Sequence, residues 1–228
     1  MKPNPTRFLF CTLCLLLVAL LSVPQTVRAG TPASTQPSAP IPVDQIGAVA
    51  GKQYSGDGLA VLATPEGAQL RCLFQKLDGE VTREGLWLAS TVAEAPPGKF
   101  RVVATAVKRE GGGGVLAATG RVEVADQLAR FIRPGLTEEY RVSVDGVRQD
   151  FLVEQRPGGA GPLRVELAVA GAKLEPLNNG VRLVLDGSGR TLNYNRLRVV
   201  DAKDKELSAR LEVVENSAGA ASRPHGNN

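Results

Sequence analysis

Apolar and polar residues alternate with a period of two along most of the chain. The clearest example is the segment 163–169, in which Leu and Val alternate with Arg, Glu and Ala. Shorter stripes of the same kind occupy residues 122–124, 140–144 and 181–185. Such alternation is typical of β-strands that keep one face on a hydrophobic core. No segment holds a helical period long enough to predict a helix, so we expect an all-β protein.

Turn signals separate these stripes at intervals of about 8–12 residues, the spacing expected of a β-sandwich or barrel. The strongest is Asp145-Gly146, which lies between the strand-like runs 139–144 and 147–153 and favours a tight hairpin. Two further turns are predicted beside strand-like runs: Asp78-Gly79 follows the run 69–77, and Pro96-Pro97-Gly98 precedes the run 100–107. Gly111–Gly114 is predicted as a flexible hairpin tip that leads into a strand over 115–119. Arg133-Pro134-Gly135 is predicted as a corner, and Asp186–Gly189 as the turn between the runs 181–185 and 191–194.

The predicted strands fall into two groups, one over residues 54–124 and the other over residues 128–214. We therefore predict an antiparallel β-sandwich-like fold in two tandem modules, residues 49–126 and residues 127–214. One long sandwich built from both groups is the alternative. No internal sequence repeat relates the two groups.

The N-terminus has the pattern of a secretory signal peptide. Lys2 and Arg7 precede an apolar run over residues 8–21, and residues 1–29 end in a small-x-small site that predicts cleavage between Ala29 and Gly30. An uncleaved membrane anchor is the alternative, but the apolar run is shorter than the roughly 20 residues that a spanning helix needs. We therefore expect a secreted or extracellular protein, and the periplasm and the cell surface are alternative locations. No stable membrane span is expected after cleavage.

Two polar segments flank the predicted modules. Residues 30–48 form a linker rich in Pro, Ser and Thr, and residues 215–228 form a polar tail that we expect to be disordered. The tail contains His225, the only histidine of the chain. Its position argues against Ser-His-Asp, Cys-His and histidine-ligated metal sites.

Cleavage changes both the charge and the cysteine content of the chain. Loss of residues 1–29 removes three basic residues and no acid, which lowers the net charge from +4 to +1. With no block of Lys and Arg, a nucleic-acid partner is not expected. Cys11 and Cys14 leave with the signal and match no lipoprotein motif, so Cys72 remains alone. A buried thiol is the favoured interpretation of Cys72, and an intermolecular disulfide is the alternative.

Few other residues suggest chemistry. Two carboxylate pairs, Glu138-Glu139 and Asp201 with Asp204, are interpreted as solvated acids at strand ends or in turns, although paired carboxylates can act in hydrolysis. Asp186-x-Ser188 and Asp201-x-x-Asp204 offer oxygen ligands but lack the distal Glu of a calcium loop. The glycines at 111–114 and 187–189 open no helix and lack the Lys-Ser/Thr of a phosphate loop. The sequence therefore predicts no catalytic residue, no metal site and no cofactor.

Trp87 is the single residue that suggests a ligand. A core position is the favoured interpretation, and a sugar-stacking platform on an exposed strand is the alternative. Aromatic residues make up only 4% of the chain, whereas glycan-binding surfaces usually carry several. The three tyrosines, Tyr54, Tyr140 and Tyr194, are too scattered to predict a platform.

Two sets of segments resemble a known family when taken together. The first set is residues 64–75, 84–91 and 100–104, and the second is residues 133–153, 163–167 and 180–190; the most specific part is Asp145-Gly-Val-Arg-Gln-Asp-Phe. They resemble the N-terminal region of large secreted proteins of the Verrucomicrobia–Planctomycetes type, which precedes FG-GAP-like or other β-propeller repeats. No such repeats occur in this sequence up to Asn228. The resemblance implies an exported protein with a non-catalytic β-rich lead-in, and it implies no catalytic residues.

These observations predict a secreted, non-catalytic structural or interaction module of a bacterial surface or extracellular protein. Its expected partners are other surface proteins or polysaccharide. A carbohydrate-binding module that depends on Trp87 is the alternative, and a carboxylate-dependent hydrolase is a weaker one.

Overall fold

The computed structural model describes residues 56–93 and 98–214 of this protein. Within these ranges nearly all regular structure is antiparallel β-sheet, and the one helical element is a short 3₁₀ turn, Leu73–Gln75. The predicted all-β, sandwich-like fold is confirmed. Over the same ranges, no helix is long and apolar enough to cross a membrane. The predicted signal peptide with its Ala29–Gly30 site, the linker and the polar tail lie outside the described residues.

The first sheet contains seven strands and forms one side of the molecule. Its order is β1-β2-β3-β4-β5-β11, and β6 pairs with the edge of β5 opposite to β11. The strands are β1 (Leu59–Thr64), β2 (Gly67–Cys72), β3 (Leu77–Thr82), β4 (Gly85–Ser90), β5 (Lys99–Glu110), β6 (Gly112–Val115) and β11 (Ala160–Ala170).

The remaining strands form three smaller antiparallel sheets. The second sheet has the order β10-β9-β8-β7, the third has the order β12-β13-β14, and β15 pairs with β16. The strands are β7 (Arg121–Ala125), β8 (Leu128–Arg133), β9 (Leu136–Ser143), β10 (Gly146–Leu152), β12 (Ala172–Leu177), β13 (Gly180–Leu185), β14 (Thr191–Asn195), β15 (Val199–Val200) and β16 (Glu206–Leu207).

The first sheet packs against both the second and the third sheet. Leu70 of β2 shares one buried cluster with Phe131 and Tyr140 of the second sheet. Phe100 of β5 shares another with Leu183 of the third sheet. β2 contributes alternate side chains to these clusters, which is why period-two stripes in the sequence can mark core faces.

The two predicted groups of strands are joined by a long ladder. β5 belongs to the first group and β11 to the second, and they pair antiparallel from Arg101–Ala170 to Ala160–Glu110, with two register shifts. All described residues also belong to one compact unit. The exact module boundaries at residues 126 and 127 stay a prediction, but the ladder crosses them.

Three of the six predicted turns are present, with small shifts in position, and Pro96 and Pro97 of a fourth lie outside the described residues. The hairpin at Asp145-Gly146 joins β9 to β10, but its two turn residues are Val144 and Asp145, and Gly146 already pairs with Ser143. The corner at Arg133-Pro134-Gly135 joins β8 to β9, and residues 186–190 join β13 to β14.

Two turn predictions are wrong. Asp78-Gly79 lies inside β3, whose inward residues Leu77, Gly79 and Val81 are buried, and the chain turns earlier, at the 3₁₀ turn and Lys76. The glycines after Gly111 are not a flexible tip but form β6, and residues 116–119 are not a strand. β6 needs glycine at position 113 because a Cβ there would lie 2.3 Å from the carbonyl oxygen of Val107.

Candidate binding groove and buried polar network

One edge of β5 has no strand partner over a short stretch. β4 pairs with β5 only at Leu88–Phe100 and Ala89–Lys99, and β6 begins to pair at Ala106. Backbone groups of β5 between these two strands therefore need other hydrogen-bond partners, because an unpaired backbone group in the interior is costly.

Side chains of the second sheet supply those partners. The backbone N–H of Ala104 donates to Oε1 of Glu138 over 3.2 Å, and the Ala104 carbonyl accepts from Nη1 of Arg133 over 2.9 Å. The carbonyl of Val102 accepts from Nε2 of Gln149 over 3.1 Å. Three polar side chains thus complete the sheet edge in place of a strand.

Glu138 lies at the centre of this network and is fully buried. Arg133 and the Ala104 N–H donate to Oε1, while the Tyr140 hydroxyl at 3.0 Å and Gln149 Nε2 at 2.6 Å donate to Oε2. Burial raises the pKa of Glu138, and the charge of Arg133 and the hydrogen bonds oppose that rise. Both oxygens are occupied, so the carboxylate has no free position for a substrate proton.

The interpretation of Glu138 and Glu139 as solvated acids at a strand end is wrong. Both lie inside β9, and consecutive strand residues point to opposite faces, so the two carboxylates do not converge. Glu139 lies on the other face of β9 and is also buried, and there Arg130 binds one oxygen at 2.7 Å and Arg141 the other at 3.0 Å. The sequence did carry a signal for Glu138, since it lies in phase with the apolar positions 136 and 140.

The other candidate oxygen ligands shape turns. Oδ1 of Asp201 accepts from the N–H groups of Lys203 at 2.8 Å and Lys205 at 3.0 Å, and Oγ of Ser188 accepts from the N–H of Arg190 at 3.2 Å. Such local bonds account for these residues as turn formers. Among the residues that the structure describes, no group of three or more His, Cys, Asp or Glu could hold a metal ion.

Cys72 is a buried thiol, as the sequence favours. Its Sγ donates a 3.4 Å hydrogen bond to the carbonyl of Ser143. Burial raises the pKa of the Cys72 thiol, against the effect of a backbone hydrogen bond at Gln75. The thiol therefore has little thiolate character at neutral pH. His225 and Tyr54 lie outside the described residues.

A groove of about 560 Å³ lies beside β4, β5 and β11 of the first sheet. Val103 of β5 and Ala168 and Ala170 of β11 line it, together with Trp87 and the chain that follows β6. Its floor consists of small side chains. Trp87 is only partly buried here and belongs to none of the buried core clusters, whereas its neighbours on β4 in the opposite phase face the core.

Arg101 is the polar centre of the groove. Its guanidinium carbon lies 5.0 Å from the centroid of the Trp87 ring, and Nη2 donates to the carbonyl of Glu84. Its Nε is buried with no hydrogen-bond partner, and no hydrogen bond joins Nη1 to a described residue. No carboxylate in the described part of the chain forms an ion pair with Arg101. The groove therefore carries a fixed guanidinium whose Nε and Nη1 have no partner among the described residues.

No protein-family model, no curated protein and no solved structure matches this chain. The resemblance to the lead-in region of large secreted repeat proteins stays an expectation.

Proposed function

We propose that this chain is an exported, non-catalytic interaction module of a bacterial surface or extracellular protein. The observation that carries the proposal is the groove, in which Trp87 and the Arg101 guanidinium, which forms no ion pair with a described carboxylate, lie beside a floor of small side chains. Grooves of this kind bind ligands because they combine apolar area with a few fixed polar groups. Surface proteins and polysaccharide are the partners that suit an exported module.

The state of the carboxylates supports a binding role over hydrolysis. General acid or base catalysis needs a carboxyl group within hydrogen-bond reach of the substrate. Glu138 has donors on both oxygens inside the core, and Glu139 is held between two arginines on the opposite face. A carboxylate-dependent hydrolase would have to use other acids.

A blocked groove tests the binding role. Ala170→Glu places a charged side chain on the groove floor, and Ala125→Glu makes the same change at an exposed position of β7 outside the groove. We expect purified Ala170→Glu to lose retention on cell-envelope fractions of the producing organism, while Ala125→Glu and wild type are retained equally. Equal retention of all three proteins would contradict the proposal, as would turnover of a polysaccharide panel by the wild type.

The intact mass of the native protein tests export. Protein recovered from the culture medium and from the cell envelope is expected to begin at Gly30, which requires cleavage after Ala29. A mass that retains residues 1–29 would contradict the predicted cleavage and would instead favour an anchored chain.

A further inference from the structure

We propose that the groove binds a polysaccharide chain bearing carboxylate groups, with Arg101 as the carboxylate anchor and Trp87 as the support for a neighbouring sugar ring. This inference rests on the proposed function, because it names the ligand class of the same groove.

The first argument is the fixed position of Arg101. Contact with the Trp87 ring and the bond from Nη2 to the Glu84 carbonyl hold the guanidinium plane, so little side-chain freedom remains to be lost on binding. Neither Nε nor Nη1 donates a hydrogen bond to a described residue. A guanidinium in this state favours a carboxylate partner, since charge-assisted hydrogen bonds are stronger than neutral ones.

The second argument is the charge around Arg101. Arg133 also lines the groove, but Glu138 neutralises it in the buried network. Glu84 is the one acid of the lining, and it is exposed, where solvent and salt screen its charge. The partly buried Arg101 is screened less, so the groove favours an anion near Nη1.

The third argument separates a glycan from a peptide. An extended peptide would gain most by pairing with free backbone groups of a strand edge. The side chains of Glu138, Arg133 and Gln149 already occupy the unpaired edge of β5. What remains for a ligand is the indole, the guanidinium and hydroxyl groups such as that of Thr105, whose oxygen still accepts hydrogen bonds. These are the groups that recognise sugars.

Trp87 gives the experiment its readout, because it is the only tryptophan of the chain. The mature protein is titrated with a galacturonate oligomer and with its carboxyl-reduced, neutral counterpart, and Trp87 emission is followed. We expect the uronate oligomer to shift the emission and to bind about ten-fold tighter than the reduced one, with affinity that falls as salt rises.

Three variants assign the binding to the groove. Arg101→Gln is expected to lower affinity for the uronate oligomer by about ten-fold, whereas Arg109→Gln, farther along β5 and bonded to the Gly161 carbonyl, leaves it unchanged. Glu84→Gln is expected to raise the affinity, since it removes the only acid of the lining. If neutral sugar hydroxyls were the ligand, Glu84→Gln would weaken binding instead.

The remaining outcomes separate the two proposals. Equal binding of the reduced oligomer would overturn the carboxylate assignment and leave a groove that binds neutral glycans. Displacement of the uronate oligomer by poly-glutamate at equal carboxylate concentration would overturn the choice of a glycan. If no oligomer binds but Ala170→Glu still loses envelope retention, the glycan inference fails and the interaction module stands. If no oligomer binds and Ala170→Glu is retained on the envelope like wild type, both the glycan inference and the interaction module fail.

Discussion

At the residue scale, the buried charges of this protein act as parts of a β-sheet. Arg133 has only 2% of its side chain exposed and contacts both Glu138 and the backbone of β5. Burying two charges costs free energy that their attraction only partly offsets. Here the ion pair also forms hydrogen bonds with the N–H and carbonyl of Ala104, which no neighbouring strand reaches. These hydrogen bonds give a physical reason for the place of the ion pair in the core.

Removal of either charge is therefore expected to destabilise the protein strongly. Arg133→Met leaves a buried carboxylate without its cation, and Glu138→Leu leaves a buried guanidinium without its anion; each is expected to cost about 3–5 kcal/mol of unfolding free energy. Urea denaturation followed by far-UV circular dichroism measures the loss. Lys108→Ala is the matched control, because Lys108 forms an exposed ion pair with Glu166, and such pairs contribute about 0–1 kcal/mol.

The double variant separates a structural role in the sheet from a simple ion pair. For an isolated buried pair, replacing both charges by apolar groups is often neutral. Here the double variant Arg133→Met/Glu138→Leu leaves the N–H and carbonyl of Ala104 without partners, at about 1–3 kcal/mol for each group. We expect it to remain clearly less stable than wild type. Recovery of wild-type stability would show that the backbone contacts contribute nothing.

The Cys72 thiol provides a second test at this scale. The pKa of Cys72 is raised by burial, so the reactive thiolate is scarcer than in an exposed cysteine, and the sulfur is shielded as well. A thiol reagent at pH 8 is expected to label the mature native protein far more slowly than the urea-unfolded protein. Rapid labelling of the native protein would contradict both the burial and the direction of the pKa change.

At the element scale, glycines decide where the β5–β6 hairpin can form. Gly113 has φ +90°, and a Cβ there would meet the backbone of Val107, whereas a Cβ on Gly114 would have no atom within 4 Å and the φ of Gly114 is not positive. We expect Gly113→Ala to lower the unfolding free energy by about 2–4 kcal/mol and Gly114→Ala to change it by less than about 1 kcal/mol. Thermal unfolding measures both, and equal effects would argue against the close strand approach.

The sequence predicts strands better than it predicts which backbone groups they leave unpaired. Alternation over 163–169 and 181–185 identifies β11 and β13 because each strand buries one face. Glycine usually marks turns, so Gly111–Gly114 is predicted as a loop, and only the close approach of β5 reveals that it forms a strand. The residue type of Trp87 alone suggests a ligand contact. The role of Arg101 becomes visible only in the structure, because the register of β4 on β5 places its guanidinium beside the Trp87 ring.

At the scale of the whole molecule, the strand groups before and after residue 126 share both a sheet and a core. The β5–β11 ladder joins them, and Leu70 packs in one cluster with Phe131 and Tyr140. Arg190 adds a further link, because its guanidinium donates to the carbonyls of Gln75 and Lys76 at 2.6 and 2.9 Å. Neither group can separate from the other without exposing apolar surface and breaking a ladder.

A protein of residues 30–228 is therefore expected to unfold in one cooperative transition. Calorimetry should give equal calorimetric and van't Hoff enthalpies, and fluorescence of Trp87 in β4 should change at the same temperature as the far-UV signal. An expressed segment of residues 127–214 is expected to remain unfolded, because it lacks β5 and the other strands that cover its core face. Two separate transitions, or an independently folded segment, would instead establish the two tandem modules that the sequence predicts. One transition with an unfolded segment would mean that the groove, which spans β4, β5 and β11, exists only when the whole sandwich has formed.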